Sequence, residues 1–150
     1  MPAPEIILNY QVITNKVDMW SYGVVLFQLA THEYPFKAKT NHKKMRHMKS
    51  IERPLEIKDD LLWDLISQLL EFDPIKRLSA AEALLHPFFT SPQALAEISD
   101  SSRIIAANSA VAFKNGDKKI TQFDLDQTFI VPTSEIKIFL NIDPEAEEKK

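Results

Sequence analysis

The chain contains no cysteine. That excludes a disulfide framework and a thiolate metal site, and it fits a reducing compartment: the cytoplasm, with the nucleus as the alternative. Glycine is nearly as scarce, with only Gly23 and Gly116 among 150 residues. A loop that cradles a triphosphate on closely spaced glycines is thereby excluded, because the backbone approaches phosphate that closely only where side chains are missing. No apolar run reaches the roughly 18 to 20 residues of a membrane span, and the opening MPAPEIILNY lacks the basic start and small-residue cleavage site of a secretory signal. No membrane association is expected. Nor is there an excess of positive charge, since the formal net charge is −3 and the isoelectric point about 5.8. A nucleic-acid partner is not expected from such a balance.

What is present is a chain with 45% hydrophobic residues, enough for a core. Residues 17–29, VDMWSYGVVLFQL, are apolar on nearly every side of a helical wheel, which predicts an enclosed helix started by Thr14 or Asn15 and broken by His32-Glu33-Tyr34-Pro35-Phe36. Leu61, Leu62, Leu65, Ile66, Leu69 and Leu70 recur at helical spacing behind Asp59, Asp60 and Asp64, whose charges suit a helix start. Ser79 and Glu82 have the spacing of a capping box for a short helix that stops before Pro87.

After Pro92 the pattern changes. Ala110–Phe113 and Ile120–Phe123 flank Asn115-Gly116, a combination that predicts a tight hairpin, and Ile136, Ile138, Leu140 and Ile142 alternate as in a strand. The fold expected is therefore mainly α with a small C-terminal β-rich extension, α+β overall. Its divisions are a helical domain over 1–90, a linker over 91–103, the β-rich extension over 104–143 and a charged tail over 144–150.

Four motifs then fall in one order: Ala3-Pro4-Glu5, Asp18-Met19-Trp20-Ser21-Tyr22-Gly23, Asp73-Pro74-Ile75-Lys76-Arg77 and His86-Pro87-Phe88-Phe89. In order and approximate interval they resemble the eukaryotic protein kinase family, over the latter half of its helical C-terminal lobe. The ending from Asp73 to Phe89 resembles serine/threonine kinases, which implies a hydroxyl acceptor on protein. Glu5, Asp18, Trp20, Gly23 and Arg77 match structural residues of the family. The resemblance implies that Glu5 and Arg77 form a buried ion bridge, and that Asp18 accepts amide hydrogen bonds from the catalytic loop. A carboxylate enclosed by apolar neighbours needs such donors.

The same resemblance shows what this sequence does not carry. There is no glycine loop, no His-Arg-Asp and no Asp-Phe-Gly, and Met1 falls almost on Ala-Pro-Glu. The expectation is a kinase fragment, from an alternative start or an incomplete gene model, that transfers no phosphate alone. ATP and magnesium are implied only for the complete domain, so no catalytic, cofactor or metal residue is assigned. His32, His42, His47 and His86 have no metal-site spacing.

Partners implied are protein substrates or regulators of the lobe. The run 37–53 holds seven Lys or Arg against one Glu, with a short exposed helix expected around Asn41 to Lys49, and Lys43, Lys44 and Arg46 are its candidate docking residues for an acidic protein. The alternative reading is a noncatalytic protein-binding module made from a kinase lobe. A fragment that exposes apolar surface is also a candidate for self-association. Finally, residues 104–113, Gly116 and the run 136–142 are similar to the second half of a ubiquitin-like fold, which IκB kinases and TANK-binding kinase carry after their kinase lobe.

Overall fold

The computed structural model describes residues 2–10, 13–36, 48 and 50–141. The chain divides into two compact units, Met1–Ser91 and Pro92–Lys150.

In the first unit a short helix α1 (Pro4–Ile7) precedes the long helix α2 (Lys16–Thr31). Asn15 stands at the N-cap of α2 without a capping side-chain bond, and Thr14 Oγ1 accepts from the Lys16 amide. The helix ends where His32 turns left-handed at φ 58° and donates its N–H to the Gln28 carbonyl. Helix α3 (Asp60–Leu69) begins under Asp59, whose Oδ1 accepts from the amides of Leu61 and Leu62. The expected capping box is present: Ser79 Oγ accepts from the Glu82 amide and Glu82 Oε2 accepts from the Ser79 amide, which starts α4 (Ala80–Leu84). A one-turn helix α5 (Pro87–Thr90) closes the unit.

The core lies between α2 and α3. Trp20, Val24 and Phe27 bury one face of α2 against Ile66 and Leu70, while Leu65, Leu69 and Ala83 form a second cluster. Trp20 stacks on Phe36 with centroids 5.6 Å apart, and Phe72 meets both rings edge-on. Gly23 sits where the two helices touch most closely. A Cβ there would lie 2.9 Å from Leu69 Cβ, closer than real Cβ atoms come, and 3.0 Å from Leu70 Cγ, tighter than ordinary packing.

Two expectations change and a third falls outside the described residues. Helix α2 is covered on one face only: Asp18, Ser21, Tyr22, Val25 and Leu29 are exposed among the described residues. The helix expected near Asn41 to Lys49, with Lys43, Lys44 and Arg46, lies outside the described residues apart from Met48, which packs against the core.

The larger change is in the extension expected to be β-rich over 104–143, whose described residues form helices and turns. In the second unit α6 (Pro92–Ala96), set within the expected linker, leads to α7 (Asp100–Lys114) and then to two 3-10 turns, Gln122–Leu125 and Gln127–Phe129. Helix α8 (Thr133–Leu140) follows, and no strand occurs among the described residues. Ser99 caps α7 by accepting from the Ser102 amide, and alanines at 106, 107, 110 and 112 favour the helix. Asn115-Gly116 ends that helix and makes no hairpin. Gly116 is left-handed at φ 88°, its amide donates to Phe113 and the Asp117 amide donates to Ala112, the paired bonds of a Schellman cap. The strands behind the ubiquitin-like similarity are thus replaced by α7 and α8. The tail over 144–150 lies outside the described residues.

Gly23→Ala should destabilise the first unit. Overpacking costs about 1–3 kcal/mol, against a helix-propensity gain of about 1 kcal/mol. Urea denaturation followed by Trp fluorescence should show a lower midpoint for the variant.

Candidate functional site

Three of the motif residues, Glu5, Trp20 and Arg77, meet around one guanidinium. Asp73 and Pro74 turn the chain after α3, and the amides of Lys76 and Arg77 donate back to the Asp73 carbonyl at 3.0 Å, aiming the Arg77 side chain inward. There it is 1% exposed, as is Glu5. Its Nη1 donates to Glu5 Oε1 at 2.6 Å and its Nη2 to Oε2 at 2.9 Å, the parallel fork that suits a carboxylate. Nη1 also donates to the Lys16 carbonyl at 2.7 Å, and Nε to the Glu71 carbonyl at 2.9 Å. The guanidinium carbon stands 5.1 Å from the centroid of the Trp20 ring, a cation–π distance.

Burial works against the charge on Glu5, but the hydrogen bonds and charge of Arg77, with a backbone bond, outweigh it and hold the carboxyl below the usual range. A depressed folded-state pKa adds stability above the ordinary carboxylate pKa. That stability is lost as pH falls through the lower folded value.

Lys16 adds a second tie. Its ammonium donates to the Arg77 carbonyl and lies 3.5 Å from Glu82 Oε2, so the start of α2, the turn before Arg77 and the capping box of α4 share one polar network. Glu82 is held below the usual carboxylate range by the Ser79 hydroxyl and amide, then by Lys16. Trp20 is fully buried beneath this network, and its indole N–H meets no acceptor among the described residues.

Asp18 stands apart. Its side chain is exposed and has no hydrogen-bond or ion-pair partner among the described residues, so the enclosure expected for it is not present here. It shares a helical stripe with Tyr22, Val25 and Leu29, at spacings of four, three and four, and those three are 41%, 49% and 70% exposed.

His86 joins two helices. Its Nδ1 accepts from the Phe88 amide at 3.1 Å, which puts the ring proton on Nε2, 3.0 Å from Asp64 Oδ2. One residue thus caps α5 and anchors it to α3. Position just before a proline-started helix was the sequence signal for that cap; nothing in the sequence pointed to Asp64 or Lys16 as partners.

A protein kinase domain model matches residues 2–89. The chain belongs to the protein kinase family. It is 33% identical over 114 residues to a Danio rerio serine/threonine-protein kinase H1 homolog, an alignment covering 71% of this chain and 26% of that protein. It is 35% identical over 98 residues to the serine/threonine-protein kinase cds1 of Schizosaccharomyces pombe, covering 58% and 21%. It is 37% identical over 79 residues to the phosphorylase b kinase gamma catalytic chain, liver/testis isoform, of Bos taurus, covering 49% and 20%. The chain therefore spans about a quarter or less of each of these relatives, and it is a partial serine/threonine kinase domain: a portion of the C-terminal lobe.

The family implies ATP and magnesium, and the residues in hand do not fit either. Gly23 is packed inside a helix contact and Gly116 caps a helix, so neither forms a phosphate loop. Among the described residues no three His, Asp or Glu side chains stand together as a metal cradle. No described helix is long and apolar enough to cross a membrane.

Replacing Glu5 with Gln leaves a buried guanidinium unpaired and should cost about 3–5 kcal/mol of first-unit stability. Thermal melts should show it. In the parent protein the melting temperature should fall as pH drops below the ordinary carboxylate range, and any variant that still folds should lack that component.

Proposed function

We propose that the chain is the peptide-side platform of a domain that phosphorylates serine or threonine hydroxyls of proteins, and that it transfers no phosphate by itself. The observation that carries this reading is the Glu5–Arg77 fork over Trp20, which ties together the motif segments matched by the kinase family. Such a platform positions groups and leaves phosphoryl chemistry to the nucleotide side of the domain. Protein substrates or regulators are its partners, with Lys43, Lys44 and Arg46 as docking residues toward an acidic surface.

The unpaired carboxylate of Asp18 and the stripe Tyr22, Val25, Leu29 support a further part of the reading. In the complete domain, backbone amides of the catalytic loop hydrogen-bond Asp18 and the loop covers the stripe. Without such a cover, the same surface favours self-association of the chain.

The purified 150-residue chain, given ATP, magnesium and casein, should incorporate no phosphate. A polypeptide in which the locus's own upstream kinase segment precedes residue 2 in frame should phosphorylate Ser or Thr. Phosphate transfer by the short chain alone overturns the reading, as does an upstream sequence with no glycine loop or catalytic loop.

Asp18→Asn separates the two contexts. In the short chain it should change stability by no more than about 0.5 kcal/mol, as for an ordinary surface site. In the complete domain it should cost several-fold more and lower kcat.

A further inference from the structure

An open groove of about 860 Å³ lies in the first unit between residues 9–10 and 14–16 on one side and the turn that follows α3 on the other. That volume falls in the range of about 300–1,000 Å³ typical of ligand clefts. Tyr10 and Ile75 line it and keep large apolar surfaces open, at 49% and 88% exposure. Asn9 and Asn15 line it too, and Asn15 has no capping bond to occupy its carboxamide.

Two charges face the groove, and they are not equivalent. The ammonium of Lys16 is engaged by the Arg77 carbonyl and by Glu82. The carboxylate of Asp73 uses Oδ1 to accept from the Ile75 amide at 3.0 Å, and it has no ion-pair partner among the described residues. The uncompensated charge of the groove is therefore negative, beside an aromatic ring and an aliphatic wall.

We infer that this groove docks a peptide segment of a partner protein that presents an arginine followed by an aliphatic residue. An arginine suits it on two counts: its guanidinium pairs with the Asp73 carboxylate, and its plane stacks on the Tyr10 ring. The aliphatic neighbour covers Ile75, and the free Asn carboxamides meet the peptide's main-chain amides. An acidic peptide is disfavoured, because it brings a like charge to Asp73 while Lys16, the cation that lines the groove, is already engaged. The inference deepens the platform reading above and rests on it for the identity of the partner as a substrate or regulator.

The test uses the 150-residue chain and a fluorescein-labelled peptide, Gly-Ser-Arg-Leu-Ser-Gly, followed by anisotropy. Saturable binding is expected, weakened about ten-fold when the peptide's Arg is replaced by Glu. Asp73→Asn keeps the acceptor for the Ile75 amide and removes the charge, and Ile75→Ser alters a residue that is already exposed. Each should weaken binding about five-fold with the melting temperature unchanged. No saturable binding, equal binding of the Glu peptide, or two variants that bind like the parent overturns the inference. Phosphate transfer is read in a separate assay, so failure of peptide binding leaves the platform reading standing, and failure of transfer leaves the groove's chemistry standing.

Discussion

Arg77 is the point at which distant parts of the first unit become one object. Four hydrogen bonds from a single planar group reach Glu5, Lys16 and Glu71, residues that lie 72, 61 and 6 positions away in sequence. An ammonium could not make this set, because it lacks the fixed fork that holds both carboxylate oxygens and still reaches two carbonyls. Burial of the pair gives little net stability in itself, since desolvation of both charges opposes their attraction. What it imposes is specificity. With either partner missing, the other charge has no acceptable place in the core, so the helix α1 carrying Glu5 and the turn carrying Arg77 are held in one arrangement.

The same network explains the two faces of α2. Trp20, Gly23, Val24, Phe27 and Thr31 follow helical spacing toward α3 and the aromatic cluster, and Gly23 lets the backbones approach where any side chain would collide with Leu69 and Leu70. The opposite face is nearly as apolar, yet it stands open. A helix apolar all round is suited to burial on both sides. Here only one side has its cover among the described residues, and the open side begins with a carboxylate that has no donor. An acid at the head of an apolar stripe is costly under a dry cover unless that cover brings N–H groups, which is why Asp18 and the stripe belong to one functional reading.

The sequence made the first unit legible because its signals are local and chemically unambiguous. A serine three residues before a glutamate has one good helical use, leucines at helical spacing behind three aspartates have one good direction, and motif order supplied the pairing of Glu5 with Arg77. Exposure of Asp18 was not legible, since a run of apolar residues does not say which polypeptide covers which face. In the second unit the signals were ambiguous at their source. Asn-Gly serves a hairpin turn and a helix C-cap equally well, because both need a left-handed residue. Ile136, Ile138 and Leu140 alternate as in a strand, but Ile136 and Leu140 are also one helical turn apart, and Asn141 at φ 50° ends a helix there.

The contrast between the units also lies in what holds them. The first unit is built on side chains that exclude water, with Trp20, Leu65, Ile66 and Leu69 fully buried. In the second unit Ala106 and Pro132 are the only buried apolar residues among those described, and Phe113, Phe123, Phe129, Ile138 and Phe139 are all more than half exposed. Its cohesion rests on polar closures, one of them long-range and the others local. Ser102 Oγ donates to the Ile130 carbonyl at 2.9 Å, Thr121 and Asp124 form a box around one 3-10 turn, and Arg103 reaches back to the carbonyls of Leu95 and Ile98. Each such bond is worth only about 0.5–1.5 kcal/mol net, and little buried area backs them. The kinase-derived unit therefore carries the structural specificity of this chain, and the helical extension keeps its shape mainly through caps and turns.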